Sequence, residues 1–442
     1  ISLISIIMLI TNLEFFIVAK AAITDMLLCF FTYSALYSFF TAMHMEGKKG
    51  NFYLYLASIS LSFAVLTKGP VGVVLPSIII FLYLVINGEL NKFLTTSPIF
   101  KLFLVFLFLV IPWYIAIHLK TDGKFTEVFF LKHNIQRYTR AISGHGGPFY
   151  YYIPVILLGF FPWSIILFPS IINSLKKLLQ KNDTKVKIDL HLFMLIIMAT
   201  YIVFFSFAKT KLPHYILPIF PAMAAVCSEW IEKKDKKSKA VSVSLYTIAV
   251  ILGLIFYLVF IIEKNPSIAG QKFSNFISEY RIHNVYIFLI FSLLFFLAFT
   301  TAGYLFSKKR TLEAFIVISL IMITFQVISI KTISYQIEEY IQGDKLRIAK
   351  ACQFILKPGD QLYIYRDNLP SVLYYSGHPY IWVTSSNFNI IKEKASSGEP
   401  FFLITSKKNM KALIEKGINL TVLKMEGKYV ILSNDNININ KD

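Results

Sequence analysis

Residues 52–87 read FYLYLASISLSFAVLTKGPVGVVLPSIIIFLYLVIN. Two apolar runs, 52–66 and 70–87, flank Thr67-Lys68-Gly69-Pro70, and Lys68 carries the only charge in the stretch. Each run approaches the roughly 17–25 residues that cross a bilayer as a helix. Inside hydrocarbon a backbone must bond its own polar groups, so such runs fold as helices rather than open strands. The stretch is therefore expected to be a membrane hairpin with a lysine on its turn.

Working outward, runs of the same kind lie near 1–18, 23–43, 99–117, 149–171, 190–207, 212–230, 241–262, 285–306 and 314–330, giving eleven in all. The composition agrees: 56% of the 442 residues are hydrophobic, 16% aromatic and only 16% charged. That balance belongs to a polytopic membrane protein. The formal charge of +19 is distributed between the runs, so it is read as topology and not as a nucleic-acid surface. Three widely spaced cysteines, Cys29, Cys227 and Cys352, provide no disulfide framework and no metal-ligand spacing. The chain opens on Ile1 within an apolar run, with no basic n-region, which argues against a signal peptide. We expect it to be part of a longer protein whose N-terminal portion precedes Ile1.

Alternate connections hold loose lysine clusters: Lys48 and Lys49; Lys92; Lys176 to Lys187; Lys233 to Lys239; and Lys308 to Arg310. The excess of positive charge assigns them to the cytoplasm. On the opposite face the charges stand singly among Gly, Pro, His and Tyr, as a site would have them. Beyond 330 the pattern changes. Amphipathic helical stretches such as Lys345–Leu356 and Lys408–Lys416 alternate with apolar strands such as Gln361–Tyr365, Phe401–Ser406, Leu420–Met425 and Tyr429–Leu432. Residues 1–330 are therefore read as a multi-helix membrane domain, and 331–442 as a small α/β domain on the non-cytoplasmic side. The latter has no Gly-rich phosphate loop.

Four places on the non-cytoplasmic face carry candidate chemistry. Asp25 stands at the outer end of a helix, where a carboxylate is costly unless paired or solvated; an ordinary helix-capping role is the alternative. Lys68 sits on a Gly-Pro turn where an ammonium could hold a phosphate, pair with Asp25, or simply snorkel. The segment Phe125–Tyr152, FTEVFFLKHNIQRYTRAISGHGGPFYYY, places His133, Arg137 and Arg140 along one side of a surface helix. Such a cationic row facing headgroups suits phosphate binding, or mere lipid contact. Finally, Lys209, Lys211, His214 and Tyr215 lie within seven residues between two helices, among prolines that keep the backbone irregular. A cluster of cations with one acid beside lipid suits an anionic lipid phosphate whose sugar is moved, since fixed cations stabilise charge developing on the leaving phosphate.

The motifs A-K-x-x-x-x-D-M-L-L, L-T-K-G-P, F-L-K-H-N-I-Q-R-Y, G-G-P-F-Y-Y-Y, F-F-P-W-S and K-T-K-L-P-H-Y-I-L-P-I-F-P occur in this order. Together they resemble the GT-C integral-membrane glycosyltransferases of the aminoarabinose (lipid A) transferase and protein O-mannosyltransferase superfamily. The likeness implies about thirteen helices in the intact protein, two of them before Ile1. It implies transfer of a sugar from a polyprenyl-phosphate donor to a lipid, glycan or protein acceptor on the outer face of a bacterial inner membrane. Asp25, Lys68, His133 and Tyr215 match positions lining the donor cavity, with Lys68 on the donor phosphate and Asp25 orienting the lysine or the sugar. The principal catalytic aspartate of the family is expected before Ile1. No cofactor is demanded. A divalent metal stays open, His133 and His145 being the available ligands without a paired motif. A transporter or flippase for a lipid-linked sugar is the alternative, and a site deep within the helices would favour it.

Overall fold

A computed structural model describes residues 2–129, 146–179, 190–232, 239–265, 268, 285–334, 339–397, 399–418 and 420–434. The chain divides into two compact units, Ile1–Phe260 with Tyr286–Gln326, and Ile261–Val285 with Val327–Asp442.

The described residues of the first unit fold mainly into helices. Among the described residues six helices are long and apolar enough to cross a membrane: Gly47–Lys68, Ile99–Lys120, Leu190–Phe207, Lys239–Lys264, Tyr286–Ser307 and Thr311–Thr332. Three bent pairs raise the number to nine if each is one span. Of the eleven runs expected, two more are helical but fall outside this set: Asp25–Ala42 and the shorter Ile219–Glu232. The latter has 14 residues, about 21 Å of helix, because Pro213–Ile216 ahead of it winds as a 3₁₀ turn.

The runs 1–18 and 149–171 are not single straight helices. Ser2–Thr11 and Leu13–Ala21 meet at 64°, and Phe149–Gly159 and Ser164–Leu179 at 112°. The first bend is made by Asn12. Its Nδ2 donates to the carbonyls of Met8 and Leu9 at 3.2 and 2.6 Å, while its Oδ1 accepts from the Phe15 N–H at 2.9 Å. One amide thus closes one helix and caps the next, satisfying groups that lipid would leave orphaned. The two bends lock together. The Trp163 indole donates to Thr11 Oγ1 at 2.9 Å, and the Leu13 N–H to the Phe161 carbonyl at 3.3 Å.

The hairpin at 52–87 forms as expected, from Gly47–Lys68 and Val71–Ile86. Gly69 ends the first helix at φ +78°, a conformation open to glycine, and Pro70 starts the second. Gly72 lets the two helices touch, because a Cβ there would stand 2.5 Å from the Ala64 backbone carbonyl.

The second unit holds a five-stranded sheet in the order β2-β1-β3-β5-β4, with β1 Leu362–Tyr365, β2 Tyr380–Val383, β3 Phe402–Ser406, β4 Thr421–Glu426 and β5 Tyr429–Ser433. The first three pair in parallel, β5 and β4 antiparallel. Helices cover both faces. Ile348, Cys352 and Val372 pack on Ile364 and Ile404, while Ile391 and Leu413 pack on Tyr363 and Leu403. Central strands buried on both sides explain why β1 and β3 are apolar without alternation. β2 and the helices Pro370–Ser376 and Asn389–Ser396 were not singled out in the sequence.

Candidate functional site

The site grows from three helix ends. Leu13–Ala21 stops at Ala22, which takes the left-handed conformation at φ +50° and turns the chain through Ile23 and Thr24 into Asp25. Asp25 is the first residue of its helix and 5% exposed. No side chain caps that helix, so the carboxylate is not spent on capping. Instead it meets Lys68, the last residue of Gly47–Lys68, with Nζ donating to Oδ1 at 2.5 Å. The packing of these two helices and the Gly69-Pro70 turn fix that meeting. At such a distance the gross attraction is several kcal/mol at an effective dielectric of about 20, and desolvation of both ions offsets much of it.

The third end is the connection 208–215. Its His214 Nε2 lies 4.0 Å from the other Asp25 oxygen, and the Tyr215 ring lies under the Lys68 ammonium at 5.3 Å. His214 and Tyr215 rings are edge to face at 5.4 Å, with Phe205 against Tyr215 at 5.2 Å. Asp25, Lys68 and Tyr215 therefore come together, joined by His214, which the sequence placed in the motif without ranking it.

Lys211 and Lys209 differ. Lys209 is exposed, whereas Lys211 is 5% exposed and its ammonium donates to the Ala208 carbonyl. Among the described residues it has no carboxylate partner. Burial, and then the nearby Lys209, push its pKa below the ordinary lysine value. Gly147 abuts it: a Cβ at Gly147 would stand 2.9 Å from the Tyr151 ring and 3.3 Å from Lys211 Cδ. The backbone of Gly146 bridges Thr210, and the Tyr152 hydroxyl donates to the Leu212 carbonyl at 3.4 Å. The glycine-tyrosine segment thus walls one side of the 208–215 connection.

His133, Arg137, Arg140 and His145 lie outside the described residues. One acid escaped the sequence reading. Glu14, in the first turn after the Asn12 bend, is 9% exposed and packs against Gly159, where a Cβ would come within 2.9 Å of its own. Its carboxylate lies within electrostatic reach of Tyr151. The signal was present, a lone acid in the apolar run 1–18.

An apolar groove of 620 Å³ lies elsewhere, between Lys239–Lys264 and Tyr286–Ser307, lined by Leu254, Tyr257 and Phe296 among others. Its lining is that of a lipid-facing surface, without the charges the chemistry needs.

Apolar helices long enough to cross a membrane, with an ion-paired polar site at their ends, define an integral membrane protein. The family model of the dolichyl-phosphate-mannose-protein mannosyltransferases matches residues 1–123. An undecaprenyl phosphate-alpha-4-amino-4-deoxy-L-arabinose arabinosyl transferase from Proteus mirabilis is 28% identical over 52% of this chain and 40% of its own length. One from Wigglesworthia glossinidia brevipalpis is 30% identical over 54% and 41%. In fold, the chain is similar to the crystal structure of ArnT from Cupriavidus metallidurans bound to undecaprenyl phosphate. That likeness has a TM-score of 0.77 at 18% identity, covering 98% of this chain and 78% of that one. In sequence and in fold the chain is thus similar to the aminoarabinose transferases and protein O-mannosyltransferases. It spans about half the length, or less, of the curated relatives it matches.

Proposed function

We propose that the intact protein transfers a sugar from a polyprenyl-phosphate donor to an envelope acceptor, a lipid A-like glycolipid, a glycan or a protein. The observation that carries this reading is the meeting of Asp25, Lys68 and Tyr215 at helix ends, with the buried Lys211, which has no carboxylate partner among the described residues, on the same 208–215 connection as Tyr215. Lys68, held by Asp25 and faced by Tyr215, is oriented toward a single task. Lys211 has a charge to offer and, among the described residues, a carbonyl rather than a carboxylate against it, so a donor phosphate is the partner its chemistry calls for. As the sugar leaves, negative charge grows on that phosphate, and two fixed ammonium groups in a low-dielectric site stabilise it. Arg137 and His133 are assigned to the same anionic headgroup, and Lys209 to the approach.

The lysine clusters between helices support a cytoplasmic face opposite this site. The site then opens to the periplasm or exterior of a bacterial inner membrane, and residues 331–442 form a soluble domain on that side. The helix-end position of Asp25 and Lys68 favours a transferase over a transporter, whose site belongs deeper in the helices.

The test is turnover by the intact, reconstituted protein given a radiolabelled polyprenyl-phosphate sugar. Free polyprenyl phosphate should accumulate with time, and should fail to do so with Lys68→Ala. Donor that stays intact with every acceptor class supplied, or full turnover by Lys68→Ala, overturns the reading.

A further inference from the structure

The second unit exposes apolar side chains that a water-soluble domain would bury. Phe354 is 86% exposed and Tyr374 81%, with Leu373, Tyr375, Ile381 and Trp382 each at 45% or more. Their placement follows from the topology. Asp344–Ile355 and Pro370–Ser376 share one face of the sheet, packed through Ile348, Cys352 and Val372. Tyr380 packs into that same cluster, so Trp382, two residues along β2, points to the same face. β2 is also the edge of the sheet, where exposed Ile381 and Trp382 invite association. The exposed aromatics therefore occupy one face and its adjoining edge.

Contiguous apolar surface of this kind marks a place of contact. The neighbouring charges say with what. On Asp344–Ile355 the exposed residues Arg347, Lys350 and Phe354 fall at i, i+3 and i+7, a cationic and aromatic stripe. Arg347 is bonded to Asp344 and Glu339, but Lys350, and Lys357 just beyond the helix, are exposed and carry no ion pair among the described residues. Tyr, Trp and Phe beside lysine is the composition of a surface that sits at headgroup level, rings among the acyl boundary and ammonium groups on phosphates. In a chain with membrane-spanning helices a bilayer is always within reach, so even a weak surface affinity is realised.

We propose that this face of the α/β unit docks onto a bilayer surface bearing anionic headgroups. The contact rests on the second unit alone and stands whether or not the chain transfers a sugar.

Tyr374→Cys offers a direct probe, because Cys29, Cys227 and Cys352 are all buried and leave the new thiol as the labelling target. The intact protein, labelled with an environment-sensitive fluorophore, is placed in nanodiscs containing spin-labelled lipid. Lys411→Cys, exposed on a helix of the opposite face, serves as the control. The label at 374 should be quenched at least twofold more than the one at 411, and further when anionic lipid replaces part of a zwitterionic bilayer. Lys350→Glu with Lys357→Glu should remove that additional part. Equal quenching at both positions, or quenching indifferent to both lipid charge and the lysines, overturns the proposal. Phe354→Cys repeats the measurement independently should Tyr374→Cys fold poorly. A label at 374 that is shielded from water but untouched by lipid spin labels points to a protein partner, and equally sinks the idea.

Discussion

Lys68 Nζ stands 2.5 Å from Asp25 Oδ1, a contact that joins the last residue of one helix to the first of another across 43 positions of sequence. The lysine is three-quarters shielded from solvent and the aspartate almost wholly so. Removing one partner leaves the other as an uncompensated ion, whereas removing both takes away the charge as well as the bond. In the intact protein, Lys68→Ala and Asp25→Asn should each lower kcat/KM for the lipid-linked donor by about 10²-fold or more, without loss of membrane insertion. The double variant should cost little beyond either single one, since the two act as a unit. A double-mutant cycle on transfer, with insertion followed by protease protection, checks both parts. Independent, multiplicative losses would show that the pair does not work together.

Lys211 supplies a pH dependence whose sign can be worked out. Burial lowers its pKa in the folded protein below the ordinary 10.5. Below that folded value the buried ammonium is charged, able to hold a phosphate, and costs the fold its desolvation. As pH rises toward the unfolded value the folded state sheds the proton first, so that cost is relieved and the donor-free protein gains stability. Donor affinity should move the other way, falling on the alkaline side earlier than an ordinary lysine would cause. Lys211→Arg should carry binding to higher pH, and Lys211→Met should weaken it about tenfold or more at neutral pH. Donor binding and thermal unfolding measured across the alkaline range separate these trends. An alkaline limb unchanged in Lys211→Arg would assign it to another group.

What was legible in the sequence depended on how local the cause was. Gly69-Pro70 announced the turn carrying Lys68, because the glycine's positive φ and the proline's fixed one are properties of those residues alone. The Asp25–Lys68 pairing was foreseeable from the cost of a lone charge beside lipid, though only as one of several options. The bends were not. A single Asn12 amide substitutes for three backbone hydrogen bonds, and in the sequence it is one polar residue in an apolar run. β2, with four residues, is too short for its alternation to show. Glu14 was passed over for the same reason as Asn12, its meaning set by Gly159 and Tyr151, over 130 residues away.

Gly72 governs how closely the Lys68 helix approaches its neighbour. A Cβ there would lie 2.5 Å from the carbonyl carbon and oxygen of Ala64, and backbone cannot step aside as a flexible side chain would. Gly72→Val should therefore push the hairpin apart and destabilise the unit by about 1–3 kcal/mol. Because Lys68 closes the preceding helix, transfer should fall along with stability. Thermal unfolding in detergent checks the first effect and turnover at a permissive temperature the second. A variant as stable as the parent would mean the helices are spaced more loosely than the contact shows.

Glu14 offers the sharpest separation of structure from function. It is a carboxylate in the first turn after a break in a membrane-embedded helix pair, 9% exposed, with no cation bonded to it among the described residues. The helix N-terminus above Asn12 offers it some compensation, but less than an ion partner would. For the fold alone a neutral amide of the same shape removes a buried charge, so Glu14→Gln should leave stability unchanged or raise it. For the reaction the outcome should be opposite. Tyr151 touches the same Gly147 position as Lys211 and feels the Glu14 carboxylate, so an acid and a cation border one aromatic ring. A sugar phosphate seated on Lys211 would reach toward that acid, and Glu14→Gln should raise the KM for donor while leaving insertion intact. Gly159→Ala, which forces a side chain against Glu14 without altering its charge, should reproduce the kinetic defect and lower stability as well. Were Glu14→Gln to lose stability and keep its KM, the residue would be holding the helix break together and have no part in the site.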